Sequence, residues 1–235
     1  GERAFAGCSS LTSVEIPNSV TSIGEHAFSG CSSLTSVEIP NSVTRIGSGA
    51  FSRCSEKLYI KADGVVYVDN WVVDTESNTI VSANIKSGTR GIADSAFSYC
   101  SSLASVVIPS SVTSIGNRAF GDCSNLTSIE IPNSVENMGV GVFSGCYNLE
   151  QIIVSEENKA YCSVNNCIIE KSSKTLVTGC KTSIIPSDGS VTSIGDSAFE
   201  GCSSLTSVKI PNSVTSIGYR AFGGCGSLTS VEIPN

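Results

Sequence analysis

Phenylalanine marks out a ruler along this chain. Phe5, Phe28 and Phe51 stand 23 residues apart, as do Phe97, Phe120 and Phe143, and again Phe199 and Phe222. These are all eight phenylalanines of the 235 residues. Three positions after each comes a cysteine: Cys8, Cys31, Cys54, Cys100, Cys123, Cys146, Cys202 and Cys225. A fixed period of this size, carried by core-forming residues, describes a stack of like coils in which each contacts only its neighbours.

Residues 19–41 show what one coil contains. Ala27, Phe28, Cys31 and Leu34 have the spacing of one face of a short helix. Val37-Glu38-Ile39 alternates as a strand with one buried face does. Pro40-Asn41-Ser42 breaks the strand and turns the chain. Val43 and Ile46 begin the next apolar set, Gly47 closes it, and a helix-starting residue type follows at Ser48, Asn117 and Asp196. The expected coil is a strand, a Pro-Asn turn, a short extended segment and about one helical turn. This is an α/β, β-rich solenoid of 23-residue coils. One coil has too few large apolar side chains to offset the entropy of ordering it, so stacking must supply the rest.

The combination Leu34-x-x-Val37-x-Ile39-Pro40 with Ile23-Gly24-x-x-Ala27-Phe28-x-x-Cys31 resembles the BspA-like class of leucine-rich repeat, and the match covers all eight regular coils. The resemblance implies a right-handed solenoid with a parallel sheet on its concave side. It also implies a place on bacterial or protist cell surfaces, where members of the family take part in adhesion and host-protein binding.

The chain reads as one domain, 1–235. Regular coils occupy residues 1–54, 94–148 and 191–235, interrupted by two islands at 55–93 and 149–190. The islands align with each other at an offset of 96, placing 77–82 over 173–178. In the first, Val65–Val68, Asp69-Asn70 and residues 71–73 read as a hairpin with a two-residue turn, and residues 79–82 as a third strand. The second repeats this with 161–164, 167–169 and 175–178. Gly1 corresponds to Gly24 and Asn235 to Asn212, so both ends fall within a repeat and the chain is expected to be part of a longer protein. No signal peptide is visible.

A net charge of −7 is poor for nucleic acid or an anionic membrane, which reward Lys and Arg. No run of 18 apolar residues exists, so no membrane insertion is expected. Eleven cysteines suggest a disulfide scaffold, but the ladder argues otherwise. Cysteines in adjacent coils lie about 4.8 Å apart with parallel vectors, whereas a disulfide needs Cβ atoms about 3.8 Å apart and converging. Buried, unreacted thiols are expected. If Asn165-Asn166 is a turn, Cys162 faces Ile169 and Cys167 faces Val164; a bridge between the two cysteines is then diagonal and disfavoured. With no Cys-x-x-Cys and no nearby histidine, a zinc site is disfavoured further still. His26 is the only histidine, and its slot holds Gly49, Arg118, Gly141, Ser197 and Arg220 elsewhere, so it is a variable surface position. No catalytic set, phosphate loop or cofactor motif is present, and the chain is expected not to be an enzyme.

What remains is a face. The outward positions of Leu-x-x-Val-x-Ile form a Ser/Glu stripe: Ser13, Glu15, Ser36, Glu38, Ser128, Glu130, Ser230 and Glu232. One reading is a recognition surface for a basic protein partner, host or matrix protein included; the other is a solvated face. Trp71, the only tryptophan, is either a packing residue of the first hairpin or an exposed aromatic anchor. The expected function is a non-catalytic protein-binding or adhesion module of a secreted or surface-anchored protein. The alternative is a structural spacer displaying another domain.

Overall fold

The computed structural model describes residues 1–233. Each coil carries two short strands, and both stack in parallel on the equivalent strand one period away. The first slot pairs Ser13–Glu15 with Ser36–Glu38, Ser82–Asn84 with Ser105–Val107, Ser128–Ile131 with Gln151–Val154, and Ser207–Lys209 with Ser230–Glu232. The second pairs Ser22–Ile23 with Arg45–Ile46, runs Gly91–Ile92, Ser114–Ile115 and Asn137–Met138 together, and pairs Ser193–Ile194 with Ser216–Ile217. The register equals the period, so Val14 lies on Val37 and Ile23 on Ile46.

The expected helical turn is absent. Among the described residues the one helix is a 3-10 turn at Glu56–Leu58, so the chain is β-rich rather than α/β. The corner that holds Phe28 is instead a run of tight turns, with Ala27 N–H bonded to Gly24 O and Cys31 N–H to Phe28 O. Two features stop it from winding into a helix. The N–H groups of His26, Phe28 and Gly30 leave the coil to bond the carbonyls of Ser48, Ala50 and Ser52 in the next one. In addition, His26 and Gly30 have φ of 52° and 77°, a left-handed conformation that a right-handed helix cannot contain. The His26 slot is left-handed in every regular coil, at Arg3, Gly49, Ser95, Arg118, Gly141, Ser197 and Arg220.

Inside the corners the phenylalanines form three stacks. Ring centroids within a stack are 5.0–5.6 Å apart and interplanar angles are 6–15°. Within the three stacks the cysteine beside each later ring donates to the Phe carbonyl of the preceding coil: Cys31 to Phe5 at 3.2 Å, Cys54 to Phe28 at 3.2 Å, Cys123 to Phe97 at 3.2 Å, Cys146 to Phe120 at 3.1 Å and Cys225 to Phe199 at 3.1 Å. All eleven cysteines are free. Where one regular coil follows another, the glycine in the slot after the second strand is a close-approach position. A Cβ on Gly47 would meet Glu25 N at 2.5 Å, and one on Gly116 would meet Asp94 N at 2.5 Å. Where the first island precedes the coil, the same slot holds Ala93.

The interruptions differ from each other, contrary to their sequence alignment. In the first, Ile60–Ala62, Val65–Val68 and Trp71–Thr75 form an antiparallel meander, and Trp71–Thr75 joins the parallel ladder at Gly91–Ile92. Its third strand therefore precedes the hairpin, joined by the turn Asp63-Gly64, both of positive φ. Residues 79–82 are not that strand: Ser82–Asn84 already stacks on Ser105–Val107 one period on. In the second, Tyr161–Val164, Cys167–Glu170 and Thr175–Thr178 are antiparallel, and the last strand joins the ladder at Ser193–Ile194. Asn165 and Asn166 both have positive φ, the turn places Cys162 opposite Ile169 and Val164 opposite Cys167, and no bridge forms.

At each interruption a buried carboxylate ties non-consecutive coils. Asp94, 6% exposed, takes Arg45 Nη2 at 2.6 Å and the Asn117 N–H at 2.8 Å. Glu200, also 6% exposed, takes Arg118 at 2.5 Å and Arg220 at 2.8 Å. The buried apolar residues form two clusters, one from Ile23 to Cys180 and one from Cys167 to Ala221.

Candidate functional site

The strand face is built by pleating. In Ser13–Glu15 the middle residue, Val14, packs against the core, so Ser13 and Glu15 point away from it, and the same holds for Ser36 and Glu38. Ser13, Glu15, Ser36, Glu38, Ser128, Glu130, Ser230 and Glu232 are all exposed. Parallel register sets Ser13 beside Ser36 and Glu15 beside Glu38, giving two like charges on adjacent rungs. This costs a little stability and leaves both carboxylates free to meet a cation.

The stripe is not uniform. Along it the Glu slot becomes Asn84, Val107, Glu130 and Ile153, with Val107 61% and Ile153 41% exposed. Further on, Lys209 lies against Glu232, Nζ to Oε2 at 3.3 Å. Both side chains are more than two-thirds exposed, so solvent screens the pair and it holds little. The face thus has an acidic segment at Glu15 and Glu38, a stretch with exposed Val107 and Ile153 around Glu130, and an oppositely charged Lys209/Glu232 pair at its far end.

Trp71 is not part of this surface. It is 1% exposed, on the strand Trp71–Thr75, against the backbone of Gly91. The Arg90 guanidinium lies 5.8 Å from its ring centroid and bonds the carbonyls of Pro40 and Val43 at 3.0 and 2.6 Å. Its role is to pack the first island against the turn of the preceding coils. The anchor reading fails because the island folds inward onto the ladder. His26 is half-buried, 3.4 Å from the Glu25 carboxylate, with no second catalytic group beside it.

Sequence reasoning passed over the two buried carboxylates. Asp94 had a signal: it follows the one alanine in a glycine slot. Glu200 occupies a slot that holds Ser or Gly in most other coils. Desolvation alone would raise the Glu200 pKa, but hydrogen bonds from Arg118 and Ser197 and the charges of Arg118 and Arg220 hold it below the usual carboxylate range. Among the described residues there is no group of His, Cys, Asp and Glu that could hold a metal, and no helix long and apolar enough to cross a membrane.

The chain matches the BspA type leucine rich repeat region in six copies, over residues 1–72, 75–180 and 173–235. Among solved structures it is similar to a leucine rich cell surface protein from Faecalibacterium prausnitzii, with 34% identity and a TM-score of 0.61 over 95% of this chain and 61% of that one. It also shares its fold with the pneumococcal vaccine antigen PcpA, at 21% identity and a TM-score of 0.62, covering 95% of this chain and 51% of that one. The chain therefore spans less than two thirds of the length of either protein. No curated protein sequence matches it.

Proposed function

The chain belongs to the BspA-type leucine-rich repeat family, and we propose that it is a non-catalytic, protein-binding module of a surface-anchored or secreted protein. Leucine-rich repeat solenoids are a fold of protein-interaction scaffolds. The cell-surface description of the Faecalibacterium protein supports the location. The observation that carries the reading is the in-register exposure of Ser13, Glu15, Ser36 and Glu38, with Ser128, Glu130, Ser230 and Glu232 repeating it further along. We place this face on the concave side of the solenoid. Its carboxylates suit a basic protein surface, with the apolar Val107 and Ile153 between them.

The test is binding of the chain to a panel of immobilised matrix and serum proteins, before and after changing Glu15, Glu38, Glu130 and Glu232 to Gln. The expected result is at least one partner whose affinity falls tenfold or more and whose wild-type binding weakens with salt. Equal binding by the variant would remove the acidic face from the site. Binding to no partner would favour the spacer reading, which the near-identical faces Ser13–Glu15, Ser36–Glu38 and Ser230–Glu232 support.

A further inference from the structure

The first interruption leaves a rung out of the corner ladder. In the two coils before it, alternate corner N–H groups all find carbonyls in the next coil: Arg3, Phe5 and Gly7 bond Glu25, Ala27 and Ser29, and His26, Phe28 and Gly30 bond Ser48, Ala50 and Ser52. The equivalent donors of the third coil are the N–H groups of Gly49, Phe51 and Arg53. Among the described residues none has an acceptor. Gly49 and Arg53 have φ of 61° and 57°, matching His26 and Gly30, so these donors point the same way, out of the coil. On the far side, the carbonyls of Asp94, Ala96 and Ser98 accept nothing, whereas one coil later Asn117, Ala119 and Gly121 each accept a bond. Phe51 and Phe97 do not stack, unlike successive rings within each block.

Beside these rows lies a cleft of about 550 Å³, lined by residues 49–53, by Val73, Asp74 and Thr75, and by Asp94 and Ser95 of the far row. Its volume is within the roughly 300–1,000 Å³ of ordinary ligand sites. The second interruption is partly joined: Gly145 N–H bonds Glu200 O at 3.1 Å and Gly179 N–H bonds Ala198 O at 2.9 Å, while the N–H groups of Gly141 and Phe143 find no acceptor among the described residues.

We propose that this cleft binds an extended peptide segment of a partner protein, which inserts as the missing rung and carries a basic side chain over Asp74. Alternate carbonyls of an extended chain match the three donors, and its N–H groups match the carbonyls opposite. The charge requirement follows from what is already paired. Lys61 is held by Glu56 at 2.8 Å and Asp94 by Arg45, leaving Asp74 and Glu76 without a cation and Arg53 at the rim. Trp71 and Val72 pair with Gly91 and Ile92, so the strand that carries Asp74 leads into the cleft beside Asp94. The Asp74 side chain reaches solvent, yet the surrounding walls desolvate it enough to raise its pKa. The proposal rests on the chain being a protein-binding module but uses a surface separate from the strand face.

The test pans a phage library of random heptapeptides on the intact 235-residue chain and measures the enriched peptides as synthetic ligands. Enriched sequences should contain Lys or Arg. Their affinity should fall tenfold or more on Asp74→Lys, an exposed position whose change leaves the fold intact, and stay within twofold on Glu38→Lys. In the free protein the amides of Gly49, Phe51 and Arg53 should exchange much faster than those of Phe28 and Gly30, and bound peptide should slow them at least tenfold. Peptides that bind Asp74→Lys equally well, peptides that leave the three amides unprotected, or a library yielding no binder would each overturn the proposal. Loss on Glu38→Lys but not Asp74→Lys would assign binding to the strand face instead.

Discussion

At the residue scale, the corner glycines and the left-handed positions decide how closely coils approach. The glycine after Ile is there for space: the preceding coil's backbone occupies the place of its Cβ. Gly116→Ala would set a methyl 2.5 Å from Asp94 N and 2.6 Å from its Oδ1. The expected loss is about 1–3 kcal/mol, the usual cost of overpacking. At Gly195 the nearest atom is Leu176 O at 3.1 Å, because an island strand lies there instead of a regular corner. Gly195→Ala should therefore lose less than half as much, and equal losses in urea unfolding would show that backbone approach is not the cause. Ala93 is the natural instance of the same tolerance. The left-handed slot of His26 was harder to see in the sequence. It accepts Arg, Ser, His and Gly alike, since the interlocked coils hold a conformation that no single side chain prefers.

At the scale of elements, the two interruptions behave as splices, each tied across by a buried carboxylate. Glu200 is ionised in the fold, and its depressed pKa means that its stabilisation is present above the ordinary Glu pKa of about 4.3 and lost as pH falls below it. Glu200→Gln should cost about 1.5–3 kcal/mol at pH 7, the range for hydrogen bonds to a charged group. The difference from wild type should shrink towards pH 3, and a difference independent of pH would show that packing rather than charge is responsible. Hairpin positions were partly legible. Asn165-Asn166 follows from the alignment of the two islands, which sets it on Asp69-Asn70, while Asp63-Gly64, a strong two-residue turn signal, has only Lys159-Ala160 at the aligned place. That alignment put the third strand after the hairpin in both. Tertiary packing chose otherwise in the first, where Ser82 was already committed to the ladder.

At the scale of the whole molecule, the cysteine ladder runs the length of the core and sets its response to alkali. Burial pushes the thiol pKa of Cys54 up to about 11 and those of Cys167 and Cys202 to about 12; Cys31, Cys100, Cys123 and Cys225 are raised as well, for Cys123 chiefly by its hydrogen bond with Cys146. An unfolded chain ionises these groups first. Stability should be fully present below the ordinary thiol pKa of about 8.5 and decline as pH rises towards 11–12. Urea midpoints at pH 7, 9 and 10.5 check this, and a flat profile would refute it. Iodoacetamide at pH 8 should label exposed Cys8 and spare Cys31, Cys54 and Cys123. The sequence by itself determined the period, the stacked coils, the inward rows of Phe, Cys, Leu and Ile, and the outward Ser/Glu stripe. Each of these follows from residue type repeated at fixed spacing, which is local information. Only the tertiary structure decided that the corner is turns rather than helix, that Trp71 is core, that one interruption is partly joined at Glu200, and that the other stays open above Asp74. Those outcomes depend on which backbone groups of separate coils come within hydrogen-bond reach, and no periodicity encodes that.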